Sequence, residues 1–279
     1  MLIKTQQDIE KIKQNCALIG AILETLAKKC VPGASVWEID QLAEKLIRES
    51  GGRPAFKGYK PASAGRPFPA TVCVSLNSEL VHGIPRKETF LKDGDIVSLD
   101  IGMEWPYESK KSVRRLADKN QKPKGVFSDT AVTVAVGAIP EAAKKLLAVT
   151  AAALEEGIKA AEPGNSIASI GRAVENYVKS QGKYGVVRDL VGHGVGHMVH
   201  EEPMIPNYYD QALEGTLLRP GMVIAIEPMI ALGGWRVATM PDGWTIKMAD
   251  NSLSAHFEHT VIITEDGNVV ATRRPQEAA

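Results

Sequence analysis

Displaced by 131 positions, the chain aligns with itself. Glu10 falls on Glu141, Ala17 on Ala148, Ala21 on Ala152, Leu23 and Glu24 on Leu154 and Glu155, and Lys28 on Lys159. Further along, Pro32 and Gly33 fall on Pro163 and Gly164, Ser35 on Ser166, Ile39 on Ile170, Glu44 on Glu175 and Gly51 on Gly182. A unit this long, present only twice, is not a solenoid. It predicts two related halves, roughly 5–135 and 140–270, facing each other across a pseudo-twofold axis.

Each half starts with helices and continues with strands. Ile9, Ile12, Cys16, Ile19, Leu23 and Leu26 recur at helical spacing. Pro32 and Gly33 then break the pattern, and Ser35 opens a second amphipathic run through Ile47. In the strand-rich part, Leu91 to Asp100 answers Leu218 to Glu227, each a glycine turn launching a β-branched run that ends in a carboxylate. Val81 to Pro85 answers Val199 to Pro203. More loosely, Asp129 ahead of the run Ala131 to Val136 answers Glu258 ahead of Thr260 to Thr264. Asp100 is thus expected to be equivalent to Glu227, and Asp129 to Glu258.

If the halves face each other, these side chains converge. Like charges at short range raise one another's pKa, and a multivalent cation removes the conflict. Two Asp, two Glu and one imidazole form an oxygen-rich set that suits two divalent ions of the manganese, iron, cobalt or zinc kind better than magnesium or calcium. Two such ions sharing a water point to hydrolysis. Taken singly, each residue has a plainer reading: Asp100 as a turn or cap residue, Glu227 as an edge-strand carboxylate, Glu258 as part of a polar strand face, His82 as a surface histidine. The register of the duplication weighs against reading them singly.

The imidazoles come from the stretch LVGHGVGHMVHEEP, which places His193, His197 and His200 among glycines 192, 194 and 196. Each glycine would cost a helix roughly 0.8–1.0 kcal/mol relative to alanine, so the segment is expected as a strand edge or loop with a thin backbone. Metal ligation and oxyanion stabilisation both use imidazoles held in this way.

Composition excludes several classes. With 33 basic and 33 acidic residues and a pI near 7, no global field points to DNA or a membrane surface. Cys16, Cys30 and Cys73 cannot all pair and show no CxxC spacing, so a reducing cytoplasm is expected. The apolar stretch from Cys16 to Ala27 is interrupted by Glu24 and has neither the form of a signal peptide nor the length of a membrane span.

The motifs GHGVGHMVHEEP, LDIG with a following SDTA, IEPM, DGWT and SAHFEHT occur here in an order that resembles the type I methionine aminopeptidases, over essentially the whole chain from about Thr5 to Thr272. The resemblance implies an α+β pita-bread fold: a single catalytic domain, 1–279, whose two pseudo-twofold-related halves form a curved antiparallel β-sheet backed by helices. It implies removal of the initiator methionine from nascent proteins when the second residue is small. It also implies that Asp100, Asp129, His193, Glu227 and Glu258 hold two divalent ions (Co, Fe, Mn, Zn or Ni), with Asp129 and Glu258 bridging and Asp100 chelating one. By the same resemblance Glu227 doubles as proton shuttle, His200 stabilises the oxyanion, and His82 holds the amide nitrogen or leaving group. Tyr59, Phe68, Cys73 and Trp244 would line the methionine pocket.

The chain departs from the family pattern in places. Asp100 and Asp129 enclose a long segment, 104–125, carrying Lys110, Lys111, Arg114, Arg115, Lys119, Lys122 and Lys124 against Glu104, Glu108 and Asp118. It is expected as a tolerated surface insertion, or alternatively as a contact to the ribosome surface. His197 stands where arginine is commoner and receives no role; Val199 stands where an aromatic is often found. The competing readings are an Xaa-Pro aminopeptidase or prolidase, against which the short stretch before the first helix argues, and an inactive pita-bread binding module, against which the full ligand set argues. A monomer is the expected state.

Overall fold

The computed structural model describes residues 2–61, 65–107 and 125–277. Helix α1 (Gln6–Ala27) opens on a reciprocal cap: the Thr5 hydroxyl accepts from the Asp8 N–H at 3.1 Å, while the Asp8 carboxylate accepts from the Thr5 N–H at 3.2 Å. Its buried face contains the whole periodic set from Ile9 to Leu26. Helix α2 (Val36–Glu49) follows, buried through Val36, Ile39, Ala43 and Ile47. In the second half, α3 (Glu141–Ala160) and α4 (Ile167–Gln181) repeat the pair.

The repeat extends to single hydrogen bonds. Gly33 and Gly164 both break out of helix with positive φ, 84° and 87°, conformations that favour glycine. Their N–H groups donate to Leu91 O at 2.7 Å and Leu218 O at 2.9 Å. Gly94 and Gly221 likewise donate to Val136 O and Ile263 O, both at 2.9 Å.

Every strand pairing among the described residues is antiparallel. In the first half, Ile96–Trp105 runs against Val126–Ala135 on one edge and against Val72–Leu76 and Arg53–Pro54 on the other. In the second, His259–Thr264 lies between Gly267–Val270 and Val223–Ile226, and the sheet continues through Gly192–Gly194 to Glu201–Ile205. Helices α1 and α2 pack on the first sheet around Leu23, Leu26, Ile47, Leu99 and Ile101. Helices α3 and α4 pack on the second around Leu146, Leu154, Ile170, Val174 and Ile226. Burying such a side chain contributes roughly 1.5–3 kcal/mol each. A smaller cluster joins the start of α1 to the second half through Ile12, Cys16, Val195, Val223 and Ile262.

One expected equivalence needs correcting. In the first hairpin Asp100 stands opposite Ala131, and Gly102 opposite Asp129. In the second, Ile226 stands opposite His259 and Met229 opposite His256, a frame in which Glu227 faces Glu258. Asp100 and Glu227 do correspond, but the counterpart of Glu258 is Ala131, and the counterpart of Asp129 is His256. The two carboxylates still point the same way, because side chains alternate across a strand with period two and the offset is even. Ala131 and Glu258 bridge each other directly, with Glu258 N donating to Ala131 O at 3.0 Å, so the pseudo-twofold axis passes between them.

Candidate active site

The site forms around that axis. Asp100 and Asp129 project from adjacent strands of the first half; Glu227 follows the strand Val223–Ile226, and Glu258 sits between Ser254–His256 and His259–Thr264. The glycines around His193 are explained by backbone proximity. A Cβ on Gly192 would stand 2.3 Å from Ala225 O, and one on Gly194 would stand 2.2 Å from Glu202 O. Only bare backbone lets the His193 strand lie this close to its neighbours.

His193 Nε2 lies 3.5 Å from Glu227 Oε1 and 3.9 Å from Asp129 Oδ2. Its Nδ1 is 3.0 Å from Gly194 O, which can only accept, so Nδ1 carries the proton and the Nε2 lone pair faces the carboxylates. Ligand atoms of Asp100, Asp129 and Glu258 lie within 4.8 Å of one another, as do those of His193, Glu227 and Glu258, and those of Asp129, His193 and His200. Asp129, His193 and Glu258 each belong to two of these groups.

Electrostatically the cluster crowds like charges together. Burial, with the neighbouring carboxylates adding to it, pushes Asp129 and Glu258 well above the usual carboxylate range. Asp100 is pushed up to about 6, mainly by burial. Asp100 Oδ1, Asp129 Oδ1 and Glu258 Oε1 are buried without a hydrogen-bond partner among the described residues. Buried oxygens left open in this way fit a multivalent cation. Burial also pulls His82 down to about 4 and His200 down to about 3, so both imidazoles are neutral at physiological pH and can donate.

Above this floor lies a cavity of about 240 Å³, whose lining includes Tyr59, Phe68, Cys73, Trp244, His82 and His200. Phe68 meets Trp244 edge-on at 5.3 Å, and Tyr59 tilts against His200 at 5.1 Å. The indole is fixed by Trp244 Nε1 donating to Arg66 O at 3.0 Å. Burial, with Asp100 and Asp129 adding to it, raises the Cys73 thiol, which keeps it an unreactive wall. His82 takes a left-handed φ of 57° to present its ring. Phe56, Leu190, Val191 and Met229 also line the cavity and carry no signal in the sequence beyond ordinary apolar patterning.

Two further groups act on the loop that carries His200. Glu201 Oε1 accepts from the His197 N–H at 2.8 Å, and Glu201 Oε2 pairs with Lys4 Nζ at 3.2 Å, both side chains almost fully buried. His197, left without a role by the sequence, sets its Nε2 3.3 Å from Asp8 Oδ2 at the start of α1. The segment before α1 thereby holds the His200 loop.

The protein-family model described as Metallopeptidase family M24 matches residues 10–113 and 118–265. The chain belongs to this family. Within it the chain groups with the methionine aminopeptidases. It is 39% identical over 269 residues to the Aquifex aeolicus methionine aminopeptidase, covering 96% of this chain and 97% of that one. It is 40% identical to methionine aminopeptidase 1 of Bacillus subtilis, covering 98% and 99%. The crystal structure of the Thermotoga maritima methionine aminopeptidase superimposes with a TM-score of 0.84 at 39% identity, covering 98% of this chain and all of that one. The prolidase from Pyrococcus horikoshii OT3, at 22% identity and a TM-score of 0.69, shares the fold alone. The expected pita-bread architecture is therefore present. As in any M24 metallopeptidase, a divalent metal belongs to the chemistry, and the acidic and histidine groups described above can hold one. No helix among the described residues is long and apolar enough to cross a membrane.

Proposed function

We propose that this M24 peptidase removes an N-terminal methionine from nascent proteins and peptides with small second residues, using two divalent ions. One observation carries the reading: four buried carboxylates and His193 meet at the base of an apolar, aromatic-walled cavity, in a chain about 40% identical over nearly its full length to methionine aminopeptidases. Asp100, Asp129, His193, Glu227 and Glu258 would hold the ions between them. That the three ligand groups overlap, at Asp129, His193 and Glu258, supports a single shared centre. Cobalt, iron, manganese, zinc and nickel all suit these donors.

Ions bound there would supply Lewis acidity, lowering the pKa of a water and polarising the scissile carbonyl. Glu227 would take a proton from the attacking water and return it to the departing amine. Neutral His200 donates to the oxygen on which negative charge develops. His82, at the cavity wall beside Trp244, holds the amide nitrogen. Tyr59, Phe68, Cys73 and Trp244 receive the methionine side chain, its sulfur lying against ring edges.

The same reading makes the chain a single catalytic domain, 1–279, acting as a monomer in the cytoplasm. Ribosome docking through 104–125 is proposed from its basic sequence; residues 108–124 lie outside the described residues. Hydrolysis of Met-Ala-Ser, Met-Leu-Ser and Ala-Pro-Ala by metal-stripped and metal-restored protein tests the assignment. Cleavage of Met-Ala-Ser alone, dependent on metal, is expected; cleavage of only the proline peptide would move the chain to the prolidase reading.

A further inference from the structure

His256 is the second-half counterpart of the ligand Asp129, yet it belongs to none of the ligand groups above. It is 1% exposed, and neither ring nitrogen has an aligned hydrogen-bond partner among the described residues. A core histidine with a purely structural role would ordinarily have its ring nitrogens satisfied. Glu227 Oε2 lies 3.2 Å from His256 Nε2. The other oxygen of the same carboxylate, Oε1, faces His193 Nε2 at 3.5 Å.

The ring is held in place from behind. The His256 N–H donates to Thr133 Oγ1 at 2.9 Å, Thr133 Oγ1 donates to His256 O at 2.8 Å, and Ser98 Oγ backs that hydroxyl at 2.7 Å. His256 is thus clasped to the strands of the opposite half, with its imidazole edge directed at Glu227. Asn207 Nδ2 meanwhile fixes the Glu227 carbonyl at 3.0 Å.

We infer that His256 is a positioning residue for Glu227: from 3.2 Å a small turn of the ring lets Nε2–H donate to Oε2 and fix the plane of the carboxylate, leaving Oε1 to face the metal centre. The inference rests on the proposed function, in which Glu227 is both ligand and proton carrier and its orientation matters twice. Groups that orient a metal's ligands typically contribute about 10–100-fold to affinity or activity.

Three variants of the full chain test it: His256→Leu, His256→Asn and His256→Gln. The apoproteins are titrated with Mn(II) by calorimetry, and kcat and KM are measured on Met-Ala-Ser. Leu and Asn cannot present an N–H to Oε2, so both are expected to weaken Mn(II) binding and lower kcat by roughly 10–100-fold, with KM within about twofold of the parent. Gln, whose longer amide reaches the same oxygen, is expected to stay close to the parent in both. Should the Leu variant fail to fold, the Asn and Gln pair decides alone. An Asn variant that binds and turns over like the parent, or a folded Gln variant as impaired as Asn, overturns the inference. A parent that binds Mn(II) but leaves Met-Ala-Ser intact would count against the proposed function only, since the titrations still decide the role of His256.

Discussion

The hairpin built on Ile96–Trp105 and the one built on Val223–Ile226 start from the same glycine turn and diverge at their far ends. Near the turn they share register, the equivalent carboxylates Asp100 and Glu227, and matching glycine hydrogen bonds. Beyond Trp105 the first hairpin runs into the basic segment. At the corresponding place, beyond Met229–Ala231, the second hairpin sends out Val237–Thr239 and Ile246–Met248, which pair with each other; Ile246–Met248 also pairs with Glu79–Val81 of the first half, and the turn between the two strands carries Trp244 to the cavity wall. Where both copies face the axis, the metal constrains each of them alike. Where the second copy leads away from it, its far end reaches the pocket wall through Trp244.

The largest expected effect tests the symmetric part. Asp100→Asn and Glu227→Gln should each lower kcat and bound metal by at least about a hundredfold, more than loss of a merely supporting group. A metal assay alongside kinetics reads both, and near-normal activity in only one of them would break the equivalence. His200→Ala has no symmetric partner and should lower kcat by roughly 10²–10³-fold while metal content holds. Next come the divergent ends. Trp244→Ala should reduce kcat/KM for Met-Ala-Ser about tenfold or more through lost pocket contacts. Excision of 108–124 should leave kcat/KM within about threefold, because lengthening or shortening a polar connection changes the closure entropy little. If excision proved as damaging as Trp244→Ala, both far ends would serve the site.

The smallest effect concerns the helix starts. Ser35 caps α2 by accepting from the Glu38 N–H at 3.4 Å, whereas Ser166 at the equivalent position of α4 turns to Ser169 and Glu214, each at 3.1 Å. Ser35→Ala is expected to destabilise by about 1 kcal/mol and Ser166→Ala by less, as measured by denaturant unfolding. Equal losses would mean that the cap and the side-chain network carry the same weight.

Much of this could be read from the chain. Helical spacing located α1 and α2, and the displaced repeat located their copies and the Asp100 and Glu227 pair, because periodicity and turn chemistry are local. The pairing of Asp129 with Glu258 was out by two residues, since a loose motif match aligns acidic residues and does not count ladder rungs. The even offset preserved the face and hid the error. The clasp of His256 by Thr133, the Lys4 and Glu201 pair, and the contact of His197 with Asp8 are long-range, and nothing in residue type or spacing announces them.

The close approach at Gly192 and Gly194 limits how this enzyme could be diversified. In a saturation library, codons 192 and 194 should return glycine alone among active clones. Even alanine would force the His193 strand off Ala225 and Glu202, and with it one edge of the catalytic floor. Codon 215, where an added methyl meets nothing within 4 Å, should by contrast tolerate substitution freely.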